Sequence, residues 1–159
     1  MGTTSTTRSI EIDAPVEKVF EFLADPEKAV LAFPMGDKVT VSDIATSREG
    51  ALMSYRETMP VTLGPFHWDM SDTVTVEEYV PNQRIVDTSS TGPIHAMTVE
   101  PSGSGSRLTF TGTVSTRVPL LDRLKVFVFT QGRGQARNMD IVLAGVKKLV
   151  EARSVKPGG

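Results

Sequence analysis

Four side chains in the first two thirds of the chain are of types that hold or transfer protons: Tyr55, Glu57, Asp72 and His95. Phenol, carboxyl and imidazole groups serve as general acids and bases, and they also orient the polar ends of bound ligands. Each of the four lies in a stretch where polar and apolar residues alternate, as they do along a β-strand. The alternation therefore assigns each side chain to one face of a predicted sheet.

The apolar residues of the predicted strands place these four side chains on the inner face. Asp72 shares its parity with Trp68 and Met70, and His95 shares its parity with Met97. The other two, Tyr55 and Glu57, share their parity with two methionines, whose flexible side chains adapt to ligands of varying shape. The sequence thus predicts a polar cluster within a lining of aromatic and methionine side chains.

A predicted C-terminal helix adds two amides, Gln131 and Gln135, to a stripe that is otherwise apolar apart from Gly132. A buried amide without a partner costs about 1–3 kcal/mol, so these groups should meet polar groups of the sheet, water or a ligand. Met139 continues the same stripe. The predicted ligand-binding residues are Tyr55, Glu57, Trp68, Met70, Asp72, His95, Met97, Gln131, Gln135 and Met139.

Each of these groups also has a purely structural interpretation. Trp68 and the methionines could be ordinary core residues. Glu57 and Asp72 could face solvent at a strand end or pair with a nearby arginine. His95 could be a hydrogen-bonded core residue, and the two glutamines could lie on a part of the helix that projects past the sheet.

Other kinds of chemistry find little support in the sequence. His67 and His95 have opposite strand parity, and no zinc-protease or EF-hand spacing is present, so we expect no metal site and no cofactor. The serines of 102–106 are typical of a hairpin turn. The glycines of 132–134 lie within a helical pattern, whereas a dinucleotide-binding loop must follow a strand.

The elements that position these groups follow from the periodicity. A strand at 8–12 is followed by Asp13-Ala14-Pro15, which offers a helix N-cap, and Asp25-Pro26 repeats that signal, so two short helices are predicted. Stretches rich in β-branched and aromatic residues then predict an antiparallel meander. Its six strands are predicted at 38–45, 51–59, 66–79, 84–90, 94–100 and 107–116.

After Pro119 the apolar residues recur at the helical period and predict one long helix over 121–150. Two glycines in 132–134 weaken this helix by about 1 kcal/mol each relative to alanine, so a bend is expected there. The termini, 1–7 and 154–159, are polar or rich in glycine and proline and are predicted to be flexible tails.

This order of elements resembles the START-like SRPBCC superfamily, whose helix-grip fold is shared by birch-pollen-type allergens and polyketide cyclase/dehydrase-type proteins. The resemblance is carried by residues 9–20, by the Asp25-Pro26 restart, by 76–81 ahead of Arg84, and by the terminal amphipathic helix. It implies an α+β fold in which a curved antiparallel sheet of about seven strands wraps around a long C-terminal helix. A single domain would span residues 8–153.

The resemblance implies binding of a small hydrophobic or amphipathic ligand, of lipid, polyketide or aromatic type, between the sheet and the C-terminal helix. One alternative is a polyketide cyclase/dehydratase-like enzyme in which Tyr55 and His95, oriented by Glu57 or Asp72, are the candidate catalytic residues. Another is membrane-associated lipid transfer. It is favoured by the seven basic and three acidic residues of 119–153 and by the apolar segment Val126–Phe129.

The composition limits the number of domains, the types of metal site and the partners that the chain could have. The 159 residues suit one domain, and the absence of cysteine excludes disulfides and cysteine-ligated metals. With 17 basic and 19 acidic residues the net charge is -2, so no nucleic-acid partner is expected. No apolar run is long enough to span a membrane. We expect a cytoplasmic monomer or homodimer.

Overall fold

The computed structural model describes residues 3–115, 119–124 and 134–154. Within these ranges a seven-stranded antiparallel sheet has the order β1-β7-β6-β5-β4-β3-β2. The strands are β1 (Thr3–Ile12), β2 (Thr40–Thr46), β3 (Leu52–Leu63), β4 (Phe66–Val80), β5 (Arg84–Ser89), β6 (Ile94–Ser102) and β7 (Gly105–Ser115). The helices are α1 (Val16–Leu23), α2 (Pro26–Ala29) and α3 (Gln135–Ser154), with 3-10 turns at Val30–Ala32 and Gly36–Lys38 and helical residues at 120–124.

The predicted helix-grip architecture is confirmed. The strand order follows the chain except for β1, which lies beside β7, and each of the six predicted meander strands is present. Irregular pairing interrupts the ladder between Val76 and Glu78 in β4 and between Ser42 and Thr46 in β2. Such irregularities bend and twist strands, which lets the sheet curve around the helices.

Both predicted short helices are present, but only one has the predicted cap. Asp25 caps α2, since its Oδ1 accepts a hydrogen bond from the backbone N–H of Glu27 at 3.1 Å. The prediction that Asp13 caps the first helix is wrong: Pro15 occupies the N-cap position of α1 and provides no side-chain acceptor. A cap can act only from the residue that adjoins the first turn, and Asp13 lies two residues too early.

The long helix predicted over 121–150, with a bend expected at 132–134, is not helical at Gly134. The long helix α3 begins at the next residue, Gln135, and ends at Ser154. Glycine has the weakest helix propensity of the residues other than proline, so a break there needs little free energy. Gly132, the other glycine of the predicted bend, lies outside the described residues.

The N-terminal tail predicted over residues 1–7 is also wrong where the structure describes it. Thr3–Thr7 belongs to β1 and pairs with the end of β7. Hydroxyl groups of the two strands contact one another, as in Thr7 Oγ1 with Thr111 Oγ1 at 3.0 Å. β-Branched threonines fit the edge strand of a pleated sheet without a buried apolar partner. The pattern of apolar residues therefore did not indicate that β1 begins at Thr3.

The C-terminal tail prediction is tested only at its first position, because Ser154 ends α3 and residues 155–159 lie outside the described ranges. The assignment of a single domain stays a prediction, with its N-terminal limit moved from residue 8 to Thr3.

The hydrophobic core lies between α3, α1 and the strands β1, β6 and β7. Gly145 brings the backbone of α3 against the first 3-10 turn, since a Cβ atom there would lie only 2.7 Å from the carbonyl oxygen of Ala32. A second close approach occurs at Gly36, where a Cβ atom would overlap the carbonyl oxygen of Val30. Met35 adopts a left-handed φ of 61° to make this return. These contacts fix the segment between α2 and β2 beside the helix.

The contact at Gly145 gives a testable expectation for stability. A helical Gly→Ala change normally stabilises by about 1 kcal/mol. Gly145→Ala should instead lower the free energy of unfolding by about 1–3 kcal/mol, because the new methyl group must push α3 away from a backbone carbonyl. Urea unfolding measures the effect, and Gly134→Ala, where no atom lies within 4 Å of the new Cβ, is the matched control. A stabilised Gly145→Ala protein would contradict the proposed close packing.

Candidate functional site

A cavity of about 160 Å³, partly open to solvent, lies between the inner face of β3–β6 and the elements that cover it. One wall is apolar and comes from the segment between α1 and β2. The other wall, here called the polar wall, comes from the strands and carries every ionisable side chain of the lining, together with the apolar side chains of Val74, Ile85 and Met97. The lining residues are Leu23, Ala29, Val30, Phe33, Pro34, Val39, Tyr55, Glu57, Asp72, Val74, Ile85, Asp87, Ser89, Thr91, Pro93, His95, Met97 and Asn138.

Strand register brings the polar side chains together. Glu57 of β3 lies opposite Asp72 of β4, and Asp87 of β5 lies opposite His95 of β6. Residues opposite one another in an antiparallel pair present their side chains on the same face about 4.5–5.5 Å apart. Like charges in that arrangement repel, so the Glu57 and Asp72 pair destabilises the sheet locally unless other groups compensate.

Asp72 is held by hydroxyl donors from the end of β5 and the turn that follows it. The hydroxyl groups of Ser89 and Ser90 each donate a hydrogen bond to one of its carboxylate oxygens. The backbone N–H of Thr91 donates to Ser89 Oγ at 3.2 Å, which fixes the orientation of that serine. Both oxygens of Asp72 are therefore already engaged within the protein.

His95 pairs with Asp87, whose Oδ1 lies 3.2 Å from the imidazole Nδ1. Phe110 packs edge-on against the ring with its centroid 5.5 Å away. Burial alone would lower the pKa of His95, but the hydrogen bond and charge of Asp87 outweigh burial and raise that pKa above its ordinary value of 6.5. The predicted orienting partner, Glu57 or Asp72, is thus wrong, because register places Asp87 directly opposite the histidine.

Glu57 is the least satisfied carboxyl group of the cavity. It makes no hydrogen bond with any residue of the described ranges. Burial, followed by the negative charges of Asp72 and Asp87, raises the pKa of Glu57 from 4.5 to about 7, although His95 partly offsets them. Near neutral pH this side chain can therefore both accept and release a proton.

Tyr55 remains a hydrogen-bond donor in this setting. Burial, followed by the charges of Glu57, Asp87 and Asp72, raises the pKa of its phenol well above 10.0. The cavity therefore combines one phenol, one imidazole and three carboxyl groups on a single wall.

Five of the ten predicted ligand-binding residues line the cavity: Tyr55, Glu57, Asp72, His95 and Met97. Their placement in the cavity agrees with the strand parity, and their role in binding stays a prediction.

Four others lie outside the cavity lining. Trp68 has the predicted parity but sits two residues beyond Met70, where β4 leaves the cavity, and it is 40% exposed. Met70 and Met139 are buried without lining the cavity. Gln135 accepts a hydrogen bond from the hydroxyl of Thr6 at 3.1 Å, so its amide oxygen is satisfied by β1. The tenth residue, Gln131, lies outside the described residues.

Sequence analysis missed several lining residues. Asp87 and Ser89 share the parity of the buried Ile85, a signal that was present in the predicted strand. Asn138 lies three residues after Gln135 and four before Val142, on the same helical stripe. Its Oδ1 is buried with no hydrogen-bond partner among the described residues. The apolar wall carried no such signal, because it is assembled only by tertiary packing.

In residues 3–115, 119–124 and 134–154, no group of three or more His, Asp or Glu side chains is placed to hold a metal ion. No helix in the same ranges is both long and apolar enough to cross a bilayer. The apolar segment Val126–Phe129, on which the membrane alternative rests, lies outside the described residues.

Comparison with known proteins adds a family and a set of similar folds. The family model described as polyketide cyclase / dehydrase and lipid transport matches residues 3–151. No curated protein matches the chain significantly.

Solved structures share the architecture at low sequence identity. Protein NE0264 from Nitrosomonas europaea superposes with a TM-score of 0.65 at 15% identity, covering 96% of this chain and 97% of the other. Protein Ms6760 from Mycobacterium smegmatis gives 0.64 at 14% identity, with 96% and 98% covered. The KanY protein (ms6282) gives 0.62 at 19% identity, with 95% and 99% covered. At these identities the likeness supports the fold alone.

The raised pKa of Glu57 predicts a pH-dependent stability. Because its folded pKa of about 7 lies above 4.5, the folded chain holds a proton that the unfolded chain releases between those values. Glu57 therefore destabilises the fold increasingly as the pH rises through this window. Glu57→Gln should raise the free energy of unfolding by about 1–3 kcal/mol at pH 8 and change it little at pH 4.5.

Urea unfolding of both proteins at the two pH values measures this difference. Glu49→Gln, in the exposed turn before β3, controls for the loss of a charge as such. An equal effect of Glu57→Gln at both pH values would show that the pKa of this carboxyl group is not raised by burial and by the neighbouring aspartates.

Proposed function

The chain belongs to the polyketide cyclase / dehydrase and lipid transport family, and we propose that it binds a small amphipathic molecule in the cavity between the sheet and the segment from α1 to β2 that covers it. The observation that carries this proposal is that an apolar covering segment faces strands that hold every ionisable side chain of the cavity lining. Ligand sites combine such apolar surface with a few polar groups that fix orientation. The ligand would lie with its apolar body against Val30 and Phe33 and its polar end at the strands.

The size of the cavity favours a ring-sized body. An engineered protein cavity of about 150 Å³ takes up benzene, and the cavity here measures about 160 Å³. Of the lipid, polyketide and aromatic types, an aromatic ring or one ring of a polyketide therefore fits best. The remainder of a larger ligand would extend through the open side.

A second candidate function, acid–base catalysis, is favoured by the hydrogen-bonded pair of His95 and Asp87. A carboxylate on Nδ1 fixes the imidazole so that Nε2 can take a proton. In a polyketide cyclase-like reaction, neutral His95 would remove a proton from the carbon next to a carbonyl group. Tyr55 would donate a hydrogen bond to the oxygen on which negative charge develops.

Filling the cavity tests the binding proposal. Ala29 lines the cavity, whereas Leu31, two residues later, is 51% exposed and does not line it. Ala29→Trp should weaken binding of benzyl alcohol at least tenfold, because the indole occupies the space beside the apolar wall. Leu31→Trp is the matched control and should bind within twofold of the unchanged protein.

Two-dimensional NMR titration gives both the affinity and the location. Shifts should concentrate at Tyr55, Met97 and Val30. Shifts confined to other surfaces, or equal binding by the two tryptophan variants, would rule out the cavity as the site.

Catalysis is tested by exchange of the acidic protons of phenylacetone in D₂O, followed by proton NMR. His95→Ala and Asp87→Asn should slow exchange at least tenfold while leaving ketone affinity within threefold, because they remove proton transfer and not the apolar wall. The exchange rate should rise with pH as His95 becomes neutral. His67→Ala is the control, because that exposed imidazole bonds to Thr62 away from the cavity. Exchange no faster than in buffer would leave binding as the function.

A further inference from the structure

The charged groups that line the cavity are nearly all of one sign. Glu57, Asp72 and Asp87 face it from three neighbouring strands, and His95 is the one basic side chain among the described lining residues, which include neither lysine nor arginine. Such a site attracts positive charge and repels anions, because electrostatic interactions strengthen where water is partly excluded.

Two acceptor groups of the cavity have no hydrogen-bond partner among the described residues. Both oxygens of Asp72 accept hydroxyl hydrogen bonds, and Asp87 is paired with His95. By contrast, Glu57 has no hydrogen-bond partner among the described residues, and the buried Oδ1 of Asn138 has none either. Buried acceptors left unpaired are costly, so a ligand that brings N–H donors gains more here than one that brings acceptors.

The titration of Glu57 supports the same conclusion. The groups that face it are Tyr55 on its own strand, Asp72 on β4, Asp87 on β5 and His95 on β6, and of these the two aspartates raise its pKa. The charge of His95 therefore does not fully offset the repulsion among the three carboxylates of the cavity. A bound cation would relieve this repulsion and lower the pKa of the carboxyl group.

We infer that the polar end of the ligand is an organic cation, such as a protonated amine, that contacts the Glu57 carboxylate while its ring lies against the apolar wall. This inference rests on the proposed binding function and names the class of molecule that the cavity selects. A carboxylate ligand of the same size would be disfavoured. The ammonium group supplies several N–H donors on a positive charge, and hydrogen bonds between charged groups are about twice as strong as neutral ones.

Three probes of similar size separate charge from shape: benzylamine, which is protonated at neutral pH, neutral benzyl alcohol, and the anion benzoate. Isothermal titration at pH 7.5 and low salt should give at least tenfold tighter binding for benzylamine than for benzyl alcohol, and the weakest binding for benzoate. Between pH 6 and 8 the affinity for benzylamine should rise as Glu57 and His95 lose protons. The affinity for benzyl alcohol should stay constant within threefold.

Glu57→Gln tests the named contact. It should bring the affinity for benzylamine to within threefold of the affinity for benzyl alcohol measured on the same variant. Glu49→Gln, which removes an exposed carboxylate from the turn between β2 and β3, should change neither affinity. Retention of the amine preference in Glu57→Gln would overturn the assignment of that contact.

The outcomes distinguish this inference from the function on which it rests. Suppose that benzyl alcohol binds and that Ala29→Trp weakens its binding, but that benzylamine binds no more tightly than benzyl alcohol. The cation preference is then refuted while the proposed function stands. Tightest binding of benzoate would refute it as well. If none of the three probes binds, both proposals fail. The comparison on the unchanged protein decides the matter even if Glu57→Gln does not fold.

Discussion

The cavity depends on the one-sided packing of the C-terminal helix. The buried face of α3 meets α1 and the strands β1 and β7, and its backbone touches the first 3-10 turn at Gly145. The helix thereby holds the α2–β2 segment over the other half of the sheet. A curved sheet covered by a short irregular segment cannot be filled as densely as one covered by a straight helix, and the space that remains is the cavity. A larger residue at position 145 would change the distance between helix and cover.

The polar wall shows a conflict between stability and site chemistry. Glu57 and Asp72 lie opposite each other on neighbouring strands, although such pairs destabilise a sheet. The protein compensates unevenly: serine hydroxyls from the end of β5 engage Asp72, Asp87 engages His95, and Glu57 is left unbonded among the described residues. Ionisable groups whose charge is neither stabilised by the fold nor fully solvated cluster at sites where a protein binds a ligand or transfers a proton.

The sequence was most informative where local periodicity decides the structure. Alternation along the strands correctly indicated the faces of Tyr55, Glu57, Asp72 and His95, because side-chain direction in a strand has a strict period of two. It did not indicate that Trp68 lies outside the cavity lining, because parity gives the face and not the distance along the strand at which a cavity ends.

Nonlocal features were beyond such patterns. The pairing of His95 with Asp87 depends on register between β5 and β6, and the apolar wall depends on packing of segments distant in sequence. Gly134 shows the opposite limit, since the predicted apolar stripe runs through a residue whose backbone is not helical. The helical period indicates which side chains can face the core. It does not indicate whether a single glycine, whose helix propensity is weak, has a helical backbone.

The return of the chain at Gly36 onto the carbonyl of Val30 has a consequence for how the site could diverge among descendants of this protein. Main-chain contacts at Gly36 brace the loop, so its path depends less on the exact side chains that it presents inward. Val30, Phe33 and Pro34 could therefore be exchanged for other apolar residues without redirecting the chain. Selection could remould the shape of the recess in small steps while the acidic surface opposite kept its geometry.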